Sequence, residues 1–437
     1  MKKKYSNIEA EKKLLSLVPG GAHTYSKGKD QFPSNAPKVI KKGEGAYIYD
    51  IEGKKFLSWS MGLYTVILGH AYKPVINRVI KELYNGVNFQ RPSILELEFA
   101  ELVKKIIPCA EMVKFAKNGS TTTTAAIKLS RAYNKKYKIA VCAQNPFFSY
   151  DDWFIGSTPS NRGIPKKFMD QVFKFNYNDI KGVEKILKKN GHEITALIME
   201  PLKFEEPKNN FLKKVKSLCK KYKVVFILDE MITGFRFPLG GAQKYYGVKP
   251  DLSTFGKSLA NGFSMSFLTG KKEIMQLGGI QQGQMKTFLV SSTHGAETHS
   301  IAAAIQTIKE LKKHNVSNYL WKVGKNLKSQ ITKVIKKNKL EKYVSISGHP
   351  YLPIMYFKNE KFQDSFEYKT LFMQELIKSK ILFQGFFATS YMHKKKEIDI
   401  TLKAIDDALK VYSKALNTGY KRYLNGEPIK PVFRAIN

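Results

Sequence analysis

Residues 224–229 read Val-Val-Phe-Ile-Leu-Asp, an unbroken apolar run that ends on a carboxylate. A second run, Ala-Leu-Ile-Met at residues 196–199, ends in the same way on Glu200. Neither run alternates apolar with polar residues, which is typical of parallel strands covered by helices on both faces. We therefore predict two buried strands, each with an acidic side chain at its end.

Similar apolar runs alternate with amphipathic segments along the middle of the chain. The predicted strands are Met112–Ala116, Lys138–Ala143, Ala196–Glu200 and Val224–Asp229. The predicted helices are Thr121–Tyr133, Asp179–Lys189, Lys208–Tyr222 and Glu297–Lys313. Strands and helices in alternation indicate an α/β fold with a mostly parallel central sheet.

The two ends of the chain have a different pattern, with Gly, Pro and Ser punctuation and shorter apolar runs. The predicted elements here are the two strands of a hairpin and two later strands: Gly45–Ile51, Lys55–Leu57, Val344–Ile346 and Leu352–Tyr356. We predict an N-terminal arm that packs near a small C-terminal α+β domain, with a large domain between them. These parts are residues 1–60, 314–437 and 61–313, respectively.

The composition is that of a soluble globular protein, with 437 residues of which 43% are hydrophobic and 25% charged. No run of eighteen apolar residues occurs, so we expect no transmembrane helix and no membrane partner. The three cysteines lack the spacing of a zinc site or a disulfide framework. They are predicted to be buried and reduced, in a cytoplasmic protein: Cys109, Cys142 and Cys219.

The formal net charge is +38, yet only seven of the 74 basic residues are arginines. A nucleic-acid-binding protein usually clusters its positive charge and uses arginine for phosphate and base contacts. Here lysines are spread along the whole chain, which indicates a solvated surface and no nucleic-acid partner. The alternative is a nucleic-acid-binding protein on a retired enzyme scaffold.

A hydroxyl-rich stretch, Asn-Gly-Ser-Thr-Thr-Thr-Thr at residues 118–124, lies between a predicted strand and a predicted helix. We expect Ser or Thr to cap the helix, and Gly119 to let the backbone approach a ligand. Amides at a helix N-terminus attract anions, and hydroxyl groups add hydrogen-bond donors. The stretch is therefore either an ordinary helix cap or a phosphate site.

Two further residues suggest chemistry. Asp229 ends its strand at the edge where open α/β sheets bind ligands. A carboxylate there can keep a pyridine nitrogen protonated, cap a helix or hold a metal. Lys257 lies among small uncharged residues, Ser-Thr-Phe-Gly-Lys-Ser-Leu-Ala-Asn-Gly at residues 253–262. This setting would partly desolvate the amine and favour an imine, although a surface lysine is the default for so lysine-rich a chain.

A second hydroxyl-rich stretch, Ser-Ser-Thr-His-Gly-Ala-Glu, occupies residues 291–297. The combination resembles class-III aminotransferases, and within them most of all glutamate-1-semialdehyde aminomutase. The motifs are Asp-Glu-x-x-Thr-Gly-Phe-Arg, Gly-Gly-Ala-Gln-x-Tyr-Tyr-Gly-Val-x-Pro-Asp-Leu and Gly-Lys, at residues 229–236, 240–252 and 256–257. Pro19-Gly20-Gly21 and Leu68-Gly69-His70 are also similar, so the resemblance covers most of the chain.

The resemblance implies fold type I of the pyridoxal 5'-phosphate (PLP)-dependent transferases and a homodimer with shared active sites. Lys257 would carry the cofactor as an imine and move a proton, and Asp229 would keep the ring nitrogen protonated. Gly119, Ser120 and Thr121 would hold the phosphate. Phe147 would stack on the cofactor ring, and Glu200 would be an orienting carboxylate. The hydroxyl of Ser292 or Thr293 would reach the phosphate bound by the partner subunit.

Several departures from the family pattern concern the substrate side. Phe147 replaces the tyrosine of a Tyr-His-Gly segment, and Lys27 stands where the mutase arm has an arginine that binds a carboxylate. Lysine cannot reproduce a bidentate fork. Gln384 lies near the place of an active-site glutamate, and Glu205 lies in place of a Gly-Asn segment. Arg91, in Gln-Arg-Pro, is either a carboxylate or phosphate ligand or a surface ion pair.

These departures bear on the reaction. A mutase must retain its intermediate through both half-reactions, whereas an aminotransferase releases its first product and takes a second substrate. Loss of the groups that hold a short amino-aldehyde acid favours transfer from an amino acid to a keto or aldehyde acceptor. A keto-sugar or small keto-phosphate is the expected acceptor, and glutamate-1-semialdehyde 2,1-aminomutase is the alternative.

Overall fold

The computed structural model describes residues 5–202, 204–280, 283 and 285–436. The chain divides into two compact units. Unit 1 consists of Met1–Tyr72 and Tyr319–Val432, and unit 2 consists of Lys73–Asn318 and Phe433–Asn437. The domain boundaries expected near residues 60 and 313 stay predictions.

Each predicted strand lies close to its predicted range. The strands of the described residues are β1 Ile40–Glu44, β2 Tyr47–Asp50, β3 Lys55–Ser58, β4 Met112–Ala116, β5 Lys138–Cys142, β6 Val172–Phe175, β7 Ile194–Met199, β8 Val225–Asp229, β9 Leu252–Phe255, β10 Ser266–Gly270, β11 Val344–Ser347, β12 Ile354–Phe357 and β13 Ile381–Leu382. Of these, β1, β6, β9, β10 and β13 were not predicted. The predicted hairpin is formed by β2 and β3, which pair antiparallel.

The helices likewise include every one that the sequence predicts. They are α1 Asn7–Leu17, α2 Met61–Tyr64, α3 Lys73–Leu83, α4 Ile94–Ile106, α5 Gly119–Asn134, α6 Asp152–Ile155, α7 Lys166–Met169, α8 Ile180–Asn190, α9 Phe211–Lys221, α10 Gly241–Tyr245, α11 Lys272–Met275, α12 Thr298–Lys313, α13 Val316–Lys337, α14 Phe366–Lys378 and α15 Lys395–Thr418. Short 3-10 helices are Pro19–Gly21, Tyr25–Lys27, Lys29–Gln31, Lys257–Ala260, Gln276–Gly278 and Tyr420–Arg422.

Unit 2 contains a seven-stranded sheet in the order β4-β10-β9-β8-β7-β5-β6. Its central strands pair in parallel, from β9 through β8, β7 and β5 to β6. The strand β10 runs antiparallel to both β9 and β4. The predicted α/β fold with a mostly parallel sheet is therefore confirmed.

The apolar run of β8 is explained by packing on both faces of this sheet. Val225 and Ile227 pack in one cluster with side chains of α5, while Phe226 and Leu228 pack in another with side chains of α8 and α9. Successive strand residues point to opposite faces, so a strand covered on both faces must be apolar throughout. By the same alternation, Asp229 shares the face of Val225, Ile227 and α5.

Unit 1 contains a four-stranded sheet in the order β1-β2-β3-β13 and a separate hairpin of β11 and β12. One turn of this unit is unusual. Met61, Gly62, Leu63 and Tyr64 all have positive φ, at 42°, 63°, 58° and 72°, so α2 is a left-handed turn. For the three residues with side chains, this conformation costs about 1–2 kcal/mol each, and the surrounding structure must hold it.

Two further observations concern the described residues as a whole. None of their helices is both long and apolar enough to cross a membrane. All three cysteines are free and fully buried, as the sequence predicts.

Candidate active site

Asp229 is the last residue of β8 and is only 4% exposed. Its Oδ1 accepts hydrogen bonds from the backbone N–H of Met231, at 3.0 Å, and from Oγ1 of Thr254, at 2.9 Å. Its Oδ2 accepts none from the part of the chain that the structure describes. One carboxylate oxygen is thus fixed in place while the other can receive a ligand.

The pKa of Asp229 is raised to about 6. Burial is the largest cause, because it disfavours the charged form, and the negative charge of Glu200 acts in the same direction. The positive charge of Lys257 opposes both. Three ionisable groups from two strand ends and a following loop therefore lie within electrostatic reach of one another.

Lys257 follows β9 and Gly256, and it begins the 3-10 helix Lys257–Ala260. Its φ of 41° lies in the left-handed region that side chains disfavour, which is a conformation found often at functional sites. A Cβ atom at Gly256 would lie only 2.7 Å from Sδ of Met231. The chain just before the lysine therefore runs too close to Met231 to accommodate a side chain.

Gly119 begins the 16-residue helix α5 at the end of β4. The expected Ser or Thr cap is wrong: Asn118 is the N-cap, and its side-chain oxygen accepts from the N–H of Thr121 at 2.9 Å. An Asn oxygen suits this position as well as a hydroxyl does. The Thr121 amide is thus engaged in the cap, and Oγ of Ser120 accepts from Tyr150 N–H at 3.2 Å.

Met231 connects the two glycine loops, and sequence reasoning missed it. A Cβ atom at Gly119 would lie 3.1 Å from its Sδ, and the atom is also close to Gly256. Because its N–H holds Asp229 as well, this one residue contacts three parts of the site. Its position two residues after Asp229 is the signal that could have identified it.

Glu230 is a second residue that sequence reasoning missed. It is fully buried, and its carboxylate accepts from Thr233 Oγ1 at 2.7 Å and from the N–H groups of Ala242 and Gln243 at 2.8 Å. Burial raises its pKa, while these hydrogen bonds oppose that shift. Glu230 therefore fixes the turn after β8, on which the position of Asp229 depends.

Glu200 and Phe147 also lie in unit 2. The backbone N–H of Glu200 donates to Oδ1 of Asn145 at 3.1 Å, and the residue is 5% exposed. Phe147 is 43% exposed. Its ring centroid lies 6.0 Å from Phe154, edge to face, and 6.3 Å from Phe433 in a stacked arrangement.

Three of the predicted residues come together in a cavity of about 470 Å³ in unit 2, here called the loop cavity. The hydroxyl residues Ser292 and Thr293 line one side, and Arg91 lines the other. The side-chain amide of Asn88 donates to the Thr293 carbonyl at 3.0 Å. Arg91 and the second hydroxyl stretch, which the sequence treats separately, therefore share one cavity.

Lys27 lies in unit 1, where it lines a separate cavity of about 430 Å³ together with His70 and the left-handed turn. Gln384 and Ser60 lie in the same wall, and Oγ of Ser60 donates to Oε1 of Gln384 at 2.6 Å. The side-chain amide of Gln384 donates in turn to the Ser26 carbonyl at 3.0 Å. Two of the positions that depart from the family pattern thus share this cavity.

The acidic pair after β7 has local partners. Glu205 forms an ion pair of 2.8 Å with Lys208, and both side chains are largely exposed. The hydroxyl of Tyr246 donates to the Glu206 carboxylate. A substrate contact by Glu205 stays a prediction.

The residues around Asp229 fit PLP as a bound group. Asp229 offers a buried carboxylate oxygen for the ring nitrogen, and the amine of Lys257 lies close enough to influence its pKa. The helix α5 directs its N-terminal amides into the same end of the sheet, where a phosphate would be stabilised by the helix dipole.

Comparison with known proteins agrees with this chemistry. The family model for class-III aminotransferases matches residues 29–349. A 3-aminobutyryl-CoA aminotransferase from Cloacimonas acidaminovorans (strain Evry) is 30% identical over 409 residues, covering 92% of this chain and 95% of that protein. A glutamate-1-semialdehyde 2,1-aminomutase from Thermodesulfovibrio yellowstonii (strain ATCC 51303 / DSM 11347 / YP87) is 29% identical over 429 residues, covering 92% and 97%.

Solved structures share the fold. The structure of the FumI protein from Sphingopyxis sp. MTA144, solved with PLP, matches with a TM-score of 0.85 at 20% identity, covering 94% of this chain and 97% of that one. The chain belongs to the class-III aminotransferase family and is a PLP-dependent enzyme.

Proposed function

We propose that this protein is an aminotransferase that moves an amino group from an amino acid to a keto or aldehyde acceptor, such as a keto-sugar or small keto-phosphate. The observation that carries the proposal is the burial of the strand-end carboxylate Asp229 within electrostatic reach of the Lys257 amine, whose positive charge lowers the pKa of that carboxyl. An amine and a carboxylate so arranged can hold one heteroaromatic ring at two positions. The family match supports the same reaction class.

In this proposal PLP supplies an electron sink when it is bound. Lys257 holds the cofactor, and its Nζ takes and returns the proton at the reacting carbon of the substrate. Asp229 keeps a proton on the ring nitrogen through Oδ2. Gly119, Ser120 and Thr121 bind the phosphate.

The other proposed cofactor contacts surround this core. Phe147 stacks on the cofactor ring. Glu200 places a second negative charge near Asp229 and helps to orient the cofactor. Ser292 and Thr293 reach the phosphate of the partner subunit, and the exposure of both side chains supports such a contact. Lys27, Arg91 and Glu205 are the proposed substrate contacts.

We propose a homodimer in the cytoplasm. Exposed apolar side chains cluster on α3, on α4 and in the loop between them, and they are Ile80, Leu83, Tyr84, Phe89, Ile94 and Leu97. An apolar surface of this kind is best covered by a second copy of the chain. Sedimentation should show a dimer that Leu97→Glu weakens. Ile8→Glu, at an exposed apolar position in unit 1, should leave the dimer intact.

Three buried free cysteines support the proposed cytoplasmic location, which is a reducing compartment.

Glutamate-1-semialdehyde 2,1-aminomutase is the second candidate, and relatives of that name at 29–31% identity support it. The residues at the substrate side favour transfer instead. Lys27 and Gln384 line one cavity but offer neither a guanidinium fork nor a carboxylate there.

The test is to add amino acids singly to the PLP-loaded protein and follow the cofactor absorbance, then to add keto acceptors to the converted enzyme. Conversion by a donor, reversal by an acceptor and release of a keto acid support an aminotransferase. Formation of 5-aminolevulinate from glutamate-1-semialdehyde, with no added keto acid, would establish the mutase instead. No spectral change with any amino donor would contradict both.

A further inference from the structure

The loop cavity contains two cationic side chains that no neighbour neutralises. Arg91 is exposed and Lys114, on β4, is half-buried, and both line the cavity. Neither forms an ion pair or a hydrogen bond with any described residue. The nearby Lys117, in contrast, pairs with Glu297. Two unneutralised positive charges in one concave site create a local attraction for anions.

The described residues that line the loop cavity include one acidic side chain, Glu96. Its Oε1 accepts from the backbone N–H of Ser93 at 2.9 Å, at the start of α4. This carboxylate is therefore engaged in capping its helix rather than paired with Arg91.

Hydrogen bonds hold the two walls of the loop cavity together. The amide of Asn88 reaches the Thr293 carbonyl at 3.0 Å. The N–H of Thr298 donates to the Val87 carbonyl at 3.1 Å, and its Oγ1 donates to the Gly86 carbonyl at 2.7 Å. The loop that carries Arg91 is thus fastened to the hydroxyl stretch before any ligand binds, which lowers the cost of ordering on binding.

The chemistry of the lining specifies the ligand class. A guanidinium fork and an ammonium group match the oxygens of a phosphate or a carboxylate, and the hydroxyls of Ser292 and Thr293 add donors. A volume of about 470 Å³ is larger than such a group alone and accommodates the remainder of a small molecule.

We propose that Arg91 and Lys114 bind the acidic group, phosphate or carboxylate, of the substrate at the end remote from the reacting carbon. The proposal rests on the proposed aminotransferase function and on the sharing of sites in a dimer. Because Ser292 and Thr293 then face the partner's cofactor, the two cations select the substrate of the partner subunit. Arg91 supplies a guanidinium group that can form two parallel hydrogen bonds to an acidic group, which the ammonium group of Lys27 cannot do.

The first experiment measures the affinity of inorganic phosphate for the PLP-loaded protein by titration calorimetry. Arg91→Gln and Lys114→Gln should each weaken phosphate binding by about tenfold, the effect of losing one charge-assisted contact. Arg162→Gln removes an exposed arginine outside the cavity and should change the affinity less than twofold. Equal losses in all three variants, or no phosphate binding to the wild type, would overturn the proposal.

The second experiment separates a substrate's acidic group from the cofactor's own phosphate. PLP is titrated into the cofactor-free forms of the wild type and of Arg91→Gln, with absorbance as the readout. We expect PLP affinities within twofold of each other. A loss of PLP affinity as large as the loss of phosphate affinity would assign the two cations to the cofactor and overturn the substrate assignment.

Neither measurement requires turnover. A protein that binds phosphate through Arg91 but transfers no amino group would contradict the proposed function while supporting the anion site. An active aminotransferase whose phosphate affinity does not change on substitution of Arg91 or Lys114 would support the proposed function and contradict the anion site.

Discussion

The surroundings of Asp229 and the loop cavity are built in opposite ways within unit 2. Around Asp229, side chains are almost fully buried, and Met231, Thr254 and Glu230 fix the carboxylate and its turn by short hydrogen bonds. In the loop cavity, Arg91 and the hydroxyl residues are exposed, and the walls are joined by hydrogen bonds from Asn88 and Thr298 to backbone carbonyls. Groups that must be held in a precise position lie at the packed strand ends. Groups that select the substrate lie in loops, where they can be substituted with little loss of stability.

The strongest way to test this contrast is Lys257→Ala. Removal of the amine should abolish imine formation and lower the turnover rate by about 10³-fold or more, because in this proposal Lys257 alone bonds the cofactor covalently and moves the proton. Steady-state rates and the borohydride-sensitive absorbance band measure both effects. Lys220→Ala, at an exposed position on α9, is the matched control. Normal turnover in the alanine variant at position 257 would refute the assignment.

Asp229→Asn should have the next largest effect. The amide keeps the shape of the carboxylate but stabilises a protonated ring nitrogen poorly, so single-turnover rates should fall by about 10²-fold or more. Folding should be nearly intact, as far-ultraviolet circular dichroism would show. A single-turnover rate close to that of the wild type is the result that contradicts the role.

Gly256→Ala tests the packing between the glycine loops. The φ of Gly256 is −176°, which any residue adopts, so the obstacle is Sδ of Met231 at 2.7 Å from the added Cβ. Overpacking of this kind costs about 1–3 kcal/mol. Met231→Ala in the same chain should recover part of the loss, and unfolding of the single and double variants measures the coupling. Strictly additive losses would mean that the two residues do not share this space.

The raised pKa of Asp229 predicts an effect on stability in the cofactor-free protein. The folded value is about 6 and the reference value is 3.8, so the folded state binds more protons between these values. The contribution of this carboxyl therefore falls as the pH rises through 6. Relative to Asp229→Asn, the wild type should lose about 1 kcal/mol of stability between pH 5 and pH 8. Denaturant titrations at both values test this, and a constant difference would contradict it.

The smallest effect is expected in the loop cavity itself. Asn88→Ala removes one exposed hydrogen bond to the Thr293 carbonyl and should cost about 1 kcal/mol or less. Thermal unfolding measures the cost. A loss as large as that of Gly256→Ala would show that these loops are as tightly constrained as the strand ends.

The sequence predicted four strands of the seven-stranded sheet, β4, β5, β7 and β8, because their signal is local, and it missed β6, β9 and β10. The apolar runs that became β7 and β8 needed no knowledge of their neighbours, since burial on both faces excludes polar residues. The roles of Asp229 and Lys257 came from motifs that resemble a known family, and their mutual electrostatic influence agrees with that interpretation.

The remaining features depend on contacts between distant parts of the chain. No local pattern indicates that Arg91 and Thr293 share a cavity, or that Phe433 stacks against Phe147. The Asn118 cap was missed because Asn, Ser and Thr compete for the same position and differ little in free energy. Glu230 was missed because two of its partners, the N–H groups of Ala242 and Gln243, lie twelve and thirteen residues later.

The left-handed turn Met61–Tyr64 has a consequence for efforts to make this enzyme more robust. Leu63→Gly would relieve backbone strain and raise the melting temperature, since Leu63 occupies a conformation that glycine adopts freely. The same turn borders the cavity of Lys27, so we expect the gain in stability to lower the turnover rate. A higher melting temperature together with a lower turnover rate in this variant would show that the strained turn contributes to catalysis.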